Sequence, residues 1–321
     1  MTVGQQDSAI KLGVSSCLLG ENVRYDGESV RNALIADELS PFAKFIPICP
    51  ETEIGLTTPR PPAHLVHEDN RLHFREIDSG RDHTAKLLDL AERRVAELRK
   101  EKISGFIFKS KSPSCGLYWL EVRENDKVTG VTGRGVFARV ITERMRGLPV
   151  EEERRLKDPR LFENFLERVF AYNRMNRLFD GQWDINALAE FHAKESLLLM
   201  AHDPEANNYL GMMIGEAFDW PKHQAANEYR RGFMAALSKP ADRQAHKDVL
   251  EHVAGFVESR VNETEADVVK TVIAGYEKGE VGRSVPLGAL EDLLLRHKMS
   301  FLADQSYFKP FPLPLMTDQR L

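Results

Sequence analysis

The chain has 321 residues, a formal net charge of −5, 42% hydrophobic residues and three cysteines. That length suggests two domains with separate cores. The acidic balance argues against a nucleic-acid coat over the whole surface, so any RNA contact must be a local patch. A polar start, Met1 to Asp7, fits no signal peptide, and no apolar run approaches the ~20 residues needed to span a bilayer, so a cytoplasmic protein with reduced thiols is expected.

In chain order, the pattern predicts a strand at 11–16, a helix at 29–40, a strand at 44–48, a helix at 82–100, strands at 104–109 and 117–123, and a helix at 136–146. This alternation predicts an α/β N-terminal domain, residues 1–150, with a mostly parallel sheet. The proline run 57–62 excludes regular structure, and His64 to Arg75 reads as a covering loop or hairpin able to act as a lid. Residues 149–180 are charge-rich with a helical stripe of Phe162, Phe165, Leu166, Val169, Phe170 and Tyr172. This gives a helical linker over 151–183. An all-α C-terminal domain, 184–321, follows, with helices near 184–202, 205–217, 222–238, 242–259, 263–276 and 286–299.

The cysteines stand where predicted strands enter turns: Ser15-Ser16-Cys17, Cys49-Pro50-Glu51 and Ser112-Pro113-Ser114-Cys115-Gly116. Parallel strands present their carboxyl ends to one crevice, so three thiols distant in sequence can meet there. Soft thiolates select zinc, cuprous copper or an iron-sulfur cluster. Three ligands are one short of a closed zinc site, and a four-iron cluster bound this way would keep one iron open as a Lewis acid. Three inert buried cysteines are the alternative, since free cysteine is often buried.

Around the thiols, Glu51 lies two residues past Cys49 and is placed to act as a general base, or simply as a first-turn carboxylate favoured by the helix dipole. Ser112 and Ser114 offer hydroxyls to a ligand or to their own turn. Arg24, Lys109, Lys111 and Arg134 would neutralise thiolates, meet an RNA phosphate, or remain solvated. Gly130 to Gly135 lacks the ending of a phosphate loop, and its glycines fit close backbone approach better. In the helical half, His192, Lys194 and His202 lie on one predicted helix, with further basic and aromatic residues elsewhere. These can grip RNA, or belong to an ordinary amphipathic bundle.

Together with Val23-Arg24-Tyr25-Asp26-Gly27, Cys49 to Leu56 and Gly130 to Phe137, the three cysteine segments resemble the thiouracil desulfidase family over roughly residues 10–150. The resemblance implies a [4Fe-4S] cluster on Cys17, Cys49 and Cys115, non-redox hydrolysis of a thiocarbonyl with release of sulfide, and one catalytic serine, for which Ser112 is preferred. Phe191-His192-Ala193-Lys194, Leu198 to His202 and Gln305 to Pro310 are similar to a helical family often fused to it. That arrangement resembles the bacterial tRNA 4-thiouridine desulfidases, which implies tRNA as substrate and RNA handling by the helices. A desulfidase of free thiouracil and a cluster- or metal-sensing module without turnover remain the alternatives.

Overall fold

The computed structural model describes residues 10–124 and 127–316. The chain divides into two compact units, Met1–Asp158 and Pro159–Leu321.

The first unit begins with β1 (Ile10–Ser15), whose Leu12 and Val14 are fully buried. Strand β2 (Ala43–Ile48) follows, then the single turn α1 (Pro50–Glu53), the hairpin β3 (Ala63–Glu68) and β4 (Arg71–Glu76), and α2 (Thr84–Glu101). After β5 (Gly105–Phe108) come β6 (Leu120–Glu124), β7 (Lys127–Gly133), α3 (Val136–Arg144) and β8 (Val150–Glu152). Two four-stranded sheets result. The order β2-β1-β5-β8 is parallel throughout, while β4-β3-β6-β7 contains two antiparallel pairs and one parallel pair.

Helix α2 buries Leu87, Leu90, Ala91, Val95 and Leu98, the stripe expected from its spacing. Its Leu87 and Val136 of α3 meet Leu65, Phe74, Leu120 and Val122 of the second sheet. On the parallel sheet, Phe106 and Phe108 stack at 4.0 Å between ring centroids, and Phe137 of α3 meets both edge-on. Gly13 is required here, because a Cβ would lie 2.3 Å from the Phe106 ring.

Several sequence expectations shift. The helix expected over 29–40 is a π-helical turn, Leu34–Leu39. Residues 30 and 32 instead pair with the Cys17 turn, Val30 N donating to Cys17 O at 3.1 Å and Asn32 N to Leu18 O at 2.9 Å. The strand expected from 117 starts at Leu120, because the N–H groups of Leu117 and Tyr118 donate to the Glu152 carboxylate. The hairpin expected as a lid is built into the second sheet. The helical reading that began at 149 misses β8, whose glutamates are buried against hydrogen-bond donors, whereas periodicity treats glutamate as solvent-facing.

In the second unit, helix α4 (Pro159–Asp180) buries Phe162, Phe165, Leu166 and Val169. It is followed by α5 (Ile185–His202), α6 (Pro204–Glu216), α7 (Lys222–Leu237), α8 (Arg243–Glu258), α9 (Glu263–Lys278), α10 (Ser284–Arg296) and the short α11 (Ser300–Ala303). Asp184, Asp203, Asp242 and Asn262 cap α5, α6, α8 and α9 by accepting from the third helical N–H. Among the described residues, no helix is long and apolar enough to cross a membrane.

A buried polar network runs through this bundle. Arg283 donates to Glu167 at 3.0 Å, to Glu163 at 3.1 Å and to His246 at 2.8 Å. His246 also meets the Tyr307 hydroxyl at 3.1 Å, and His202 meets Glu167 at 3.1 Å. Burial alone would raise the Glu167 carboxyl, but the Arg283 guanidinium and His202 outweigh it and hold the group well below the carboxylate range. Burial, then Arg283, pushes His246 well below its ordinary value.

Arg283→Met leaves two carboxylates without their cation and should cost about 3–5 kcal/mol of stability, read by chemical denaturation, with part of the loss recovered in Arg283→Met/Glu167→Leu. Both depressed groups bind protons more readily when unfolded, so acidification destabilises. His246 withdraws its contribution as pH falls below about 6.5 and Glu167 as it falls below about 4.5, and His246→Gln should flatten the pH 7 to 5 segment of the melting-temperature profile.

Candidate metal and catalytic site

Register decides where the cysteines go. Ser15 is level with Ile48, Val14 with Ile107, and Phe108 with Glu152, so the four parallel strands end along one edge. Cys17 stands two residues past β1 and Cys49 one residue past β2, while Lys109 and Glu153 directly follow β5 and β8. The chain joins β2 on one side of β1 and β5 on the other, making this edge the switch point where open α/β sheets take ligands.

A cavity of about 420 Å³ opens there, lined by all three cysteines together with Arg24, Glu51, Lys109, Ser112 and Ser114. Tyr25, Arg60, Lys111 and Arg154 also line it. Sequence reasoning placed the first eight side chains and Lys111 near this chemistry, and the fold brings all nine together. Arg134 lies outside the cavity lining, its guanidinium donating to Thr142 at 2.9 Å.

His192, Lys194 and His202 belong to α5 of the helical unit. Lys194 is exposed. His192 is half-buried beside the Tyr229 hydroxyl at 3.2 Å, and burial lowers its pKa. The His202 side chain is fully buried, its two nitrogens facing the Lys239 carbonyl and Glu167.

Glu51 is held from both sides. Ser114 Oγ donates to one carboxylate oxygen at 2.6 Å, and Arg60 Nε donates to the other at 2.8 Å. Arg60 also donates to the Val23 carbonyl at 2.9 Å, and its side chain is 6% exposed. Glu51 is therefore a first-turn carboxylate of α1 and also the centre of a directed relay. The two serines differ: Ser112 Oγ accepts from the Cys115 amide at 3.1 Å and closes the turn, whereas Ser114 Oγ bridges Glu51 and the Cys115 sulfur, the latter at 3.6 Å.

Sequence reasoning missed Arg60 and the glutamates of β8. A lone arginine inside a proline run was the available signal for Arg60. Glu153 accepts from Lys109 Nζ at 2.6 Å, Ser110 N at 2.7 Å and Ser110 Oγ at 2.7 Å. Glu152 accepts from Leu117 N at 2.7 Å and Tyr118 N at 3.2 Å. The two carboxylates thus pin both ends of the Cys115 loop. On its other side Gly135 presses against the loop, where a Cβ would lie 2.5 Å from the Ser114 carbonyl oxygen, and the first amides of α3 donate to Pro113 and Ser114. The close backbone approach read for these glycines is realised at Gly135.

Burial pushes the Cys17 thiol up to about 11, with Lys109 opposing and Cys49 and Glu153 adding to the rise. Cys115 is pushed up further, chiefly by burial, with Cys49, Glu51 and Cys17 adding and the Ser114 hydroxyl opposing. Gathering three thiolates here therefore requires a positive counter-charge, which a metal supplies. Among the described residues, no three His, Cys, Asp or Glu side chains converge on one ion-sized point. Three cysteines lining one cavity fit an iron-sulfur centre, whose iron atoms are each held by one thiolate.

The profile of the 2-thiouracil desulfurase family matches residues 12–153. An uncharacterised protein of Bacillus subtilis (strain 168), YbbK, is 33% identical over 152 residues, covering 45% of this chain and 97% of the relative. The chain belongs to the 2-thiouracil desulfurase family. Residues 196–312 match a second family, DUF1722, described as of unknown function. The uncharacterised protein YbgA of Escherichia coli (strain K12) is 27% identical over 154 residues, 48% of this chain and 91% of its own. A solved structure of a [4Fe-4S]-dependent thiouracil desulfidase, TudS, is 35% identical and covers 46% of this chain and 94% of its own, with a TM-score of 0.37.

Within this desulfurase-family unit, Glu153→Ala strands the Ser110 amide and frees Lys109. It should lower stability by about 1–3 kcal/mol and raise amide hydrogen exchange across 109–118. Unchanged exchange there would show that the glutamate does not hold the loop.

Proposed function

We propose that this chain is a [4Fe-4S]-dependent desulfidase that converts 4-thiouridine in tRNA to uridine with release of sulfide, and that it works in the cytoplasm. The observation that carries the reading is the convergence of three thiols, two at strand ends and one on the β5–β6 loop, on one cavity beside a carboxylate held by a serine and an arginine. Cys17, Cys49 and Cys115 would hold the cluster. When bound, it supplies an iron without a protein ligand, a Lewis acid for the sulfur of a thiocarbonyl.

The protein groups then have distinct tasks. Glu51, oriented by Arg60, takes a proton from the water that attacks the thiocarbonyl carbon. Ser114, sharing its proton with Glu51, relays that proton toward the departing sulfur. Ser112 closes the loop and its Oγ also lies 2.9 Å from Ser114 Oγ, so both hydroxyls belong to the chain that ends on Glu51. The carbon–oxygen bond forms, the carbon–sulfur bond breaks, one water is consumed and one sulfide leaves. No electrons are transferred. Lys109 and Arg24 offset the negative charge gathered in the cavity.

The tRNA part of the reading rests on the joining of the desulfurase-family unit to a helical unit that matches DUF1722 over residues 196–312, and we assign His192 and Lys194, which precede that match on α5, to RNA contact. His202 is assigned to the bundle interior. A nucleotide within folded tRNA must be turned out of its stack to reach a recessed cavity.

Anaerobic reconstitution with iron and sulfide, followed by incubation with tRNA carrying 4-thiouridine, should bleach the thiouridine near-ultraviolet band. Cys49→Ala should abolish both the bleaching and stable cluster loading. Glu51→Gln should keep iron content while slowing bleaching by about 10²–10⁴-fold. A cluster-loaded chain that clears free thiouracil and leaves tRNA untouched would make the free base the substrate. One that clears neither would point to the sensing module.

A further inference from the structure

Outside the cavity lining, Trp119 is the most exposed large apolar side chain among the described residues. It is 73% exposed, yet it lies between Leu117 and Leu120, which are 4% and 7% exposed. Its backbone has φ of +49°, a left-handed conformation unfavourable for a bulky residue. The cause is local: Glu152 fixes the Leu117 and Tyr118 amides, and β6 begins at Leu120, so residue 119 must turn outward. An indole is an unfavourable group to leave in water at such a position unless something covers it.

The surroundings indicate what covers it. The Tyr118 ring lies 5.8 Å from the Trp119 ring and carries the Arg155 guanidinium 4.7 Å from its centroid. Arg155 is in turn held by Glu151 at 2.8 Å. Its neighbour Arg154 and Lys111 both line the cavity and are exposed, and neither side chain has an ion pair or hydrogen bond among the described residues. Across the cavity lining, Tyr25 is 47% exposed with Arg24 5.8 Å from its ring. The exposed indole, the half-buried Tyr118 ring and the unpaired side chains of Arg154 and Lys111 suit a single-stranded nucleic acid, whose bases stack on aromatics while its phosphates meet the cations.

We infer that Tyr118 and Trp119, with Arg154 and Lys111, form a ledge on the sheet unit on which a base next to the reacting nucleotide stacks. The inference rests on the RNA reading above. It adds that the catalytic unit itself, and not the helical unit alone, grips the strand, with Trp119 discriminating RNA from a free base.

The test uses the full, cluster-loaded chain carrying Trp183→Phe and Trp220→Phe, in which Trp119 is the sole tryptophan. Titration with a fluorescein-free short oligouridylate should quench its emission. In the otherwise wild-type chain, Trp119→Ala should weaken binding of a labelled oligouridylate, read by anisotropy, by about tenfold, with Trp119→Phe intermediate. The ratio of kcat/KM for thiouridine in RNA over free thiouracil should fall by a similar factor in Trp119→Ala. Oligonucleotide bound without quenching, equal affinity in Trp119→Ala, or no binding at all would each overturn the ledge. Quenching and Trp119-dependent binding by a chain that desulfurates nothing would keep the ledge and overturn the proposed function.

Discussion

Everything at the sheet edge depends on the parallel register of β2-β1-β5-β8. Because Ser15, Ile48, Phe108 and Glu152 close their strands along one line, side chains one or two residues further on are delivered to a common cavity without any long-range search by flexible loops. Parallel pairing has no freedom to slip here, since a one-residue shift would exchange the two buried faces of β1 and β5 and move Gly13 from the Phe106 ring it fits against. A register specified by apolar packing therefore also places Cys17 and Cys49, while Cys115, further along after β5, is placed by its pinned loop.

That edge would fail without the means to hold charge. The cavity gathers three thiols and Glu51, and each thiol that ionises makes the next harder to ionise. The compensation is distributed: Arg60 on Glu51, Lys109 beside Cys17, and the Ser114 hydroxyl between the carboxylate and Cys115. Glu153 restrains Lys109 while tying down Ser110, so the same carboxylate positions the cation and the loop. A loop fixed by Glu152, Glu153 and Gly135 leaves little conformational entropy to be lost when its cysteine takes a metal. The fixed loop also turns Trp119 outward, so the ledge and the site share one mechanical origin.

The helical unit solves a different problem. Its core carries Arg283, Glu167, His202 and His246 where a bundle would ordinarily carry leucine. Such a network is a weak source of stability compared with apolar packing, and it suffers when any member is removed. It fixes α4, α5, α8 and the start of α10 in one arrangement, because only that arrangement satisfies every donor.

The sequence by itself determined the α/β half, the helical half, and the placement of Cys17, Cys49 and Cys115 in turns that follow predicted strands. These are local properties, written in apolar period and turn chemistry. The pairing of Glu51 with Ser114 and Arg60, the burial of His202, and the strand made from Val150, Glu151 and Glu152 were decided only by tertiary structure. Each depends on a partner dozens of residues away that changes whether a charged or polar side chain is better solvated or buried, and periodicity carries no information about that partner.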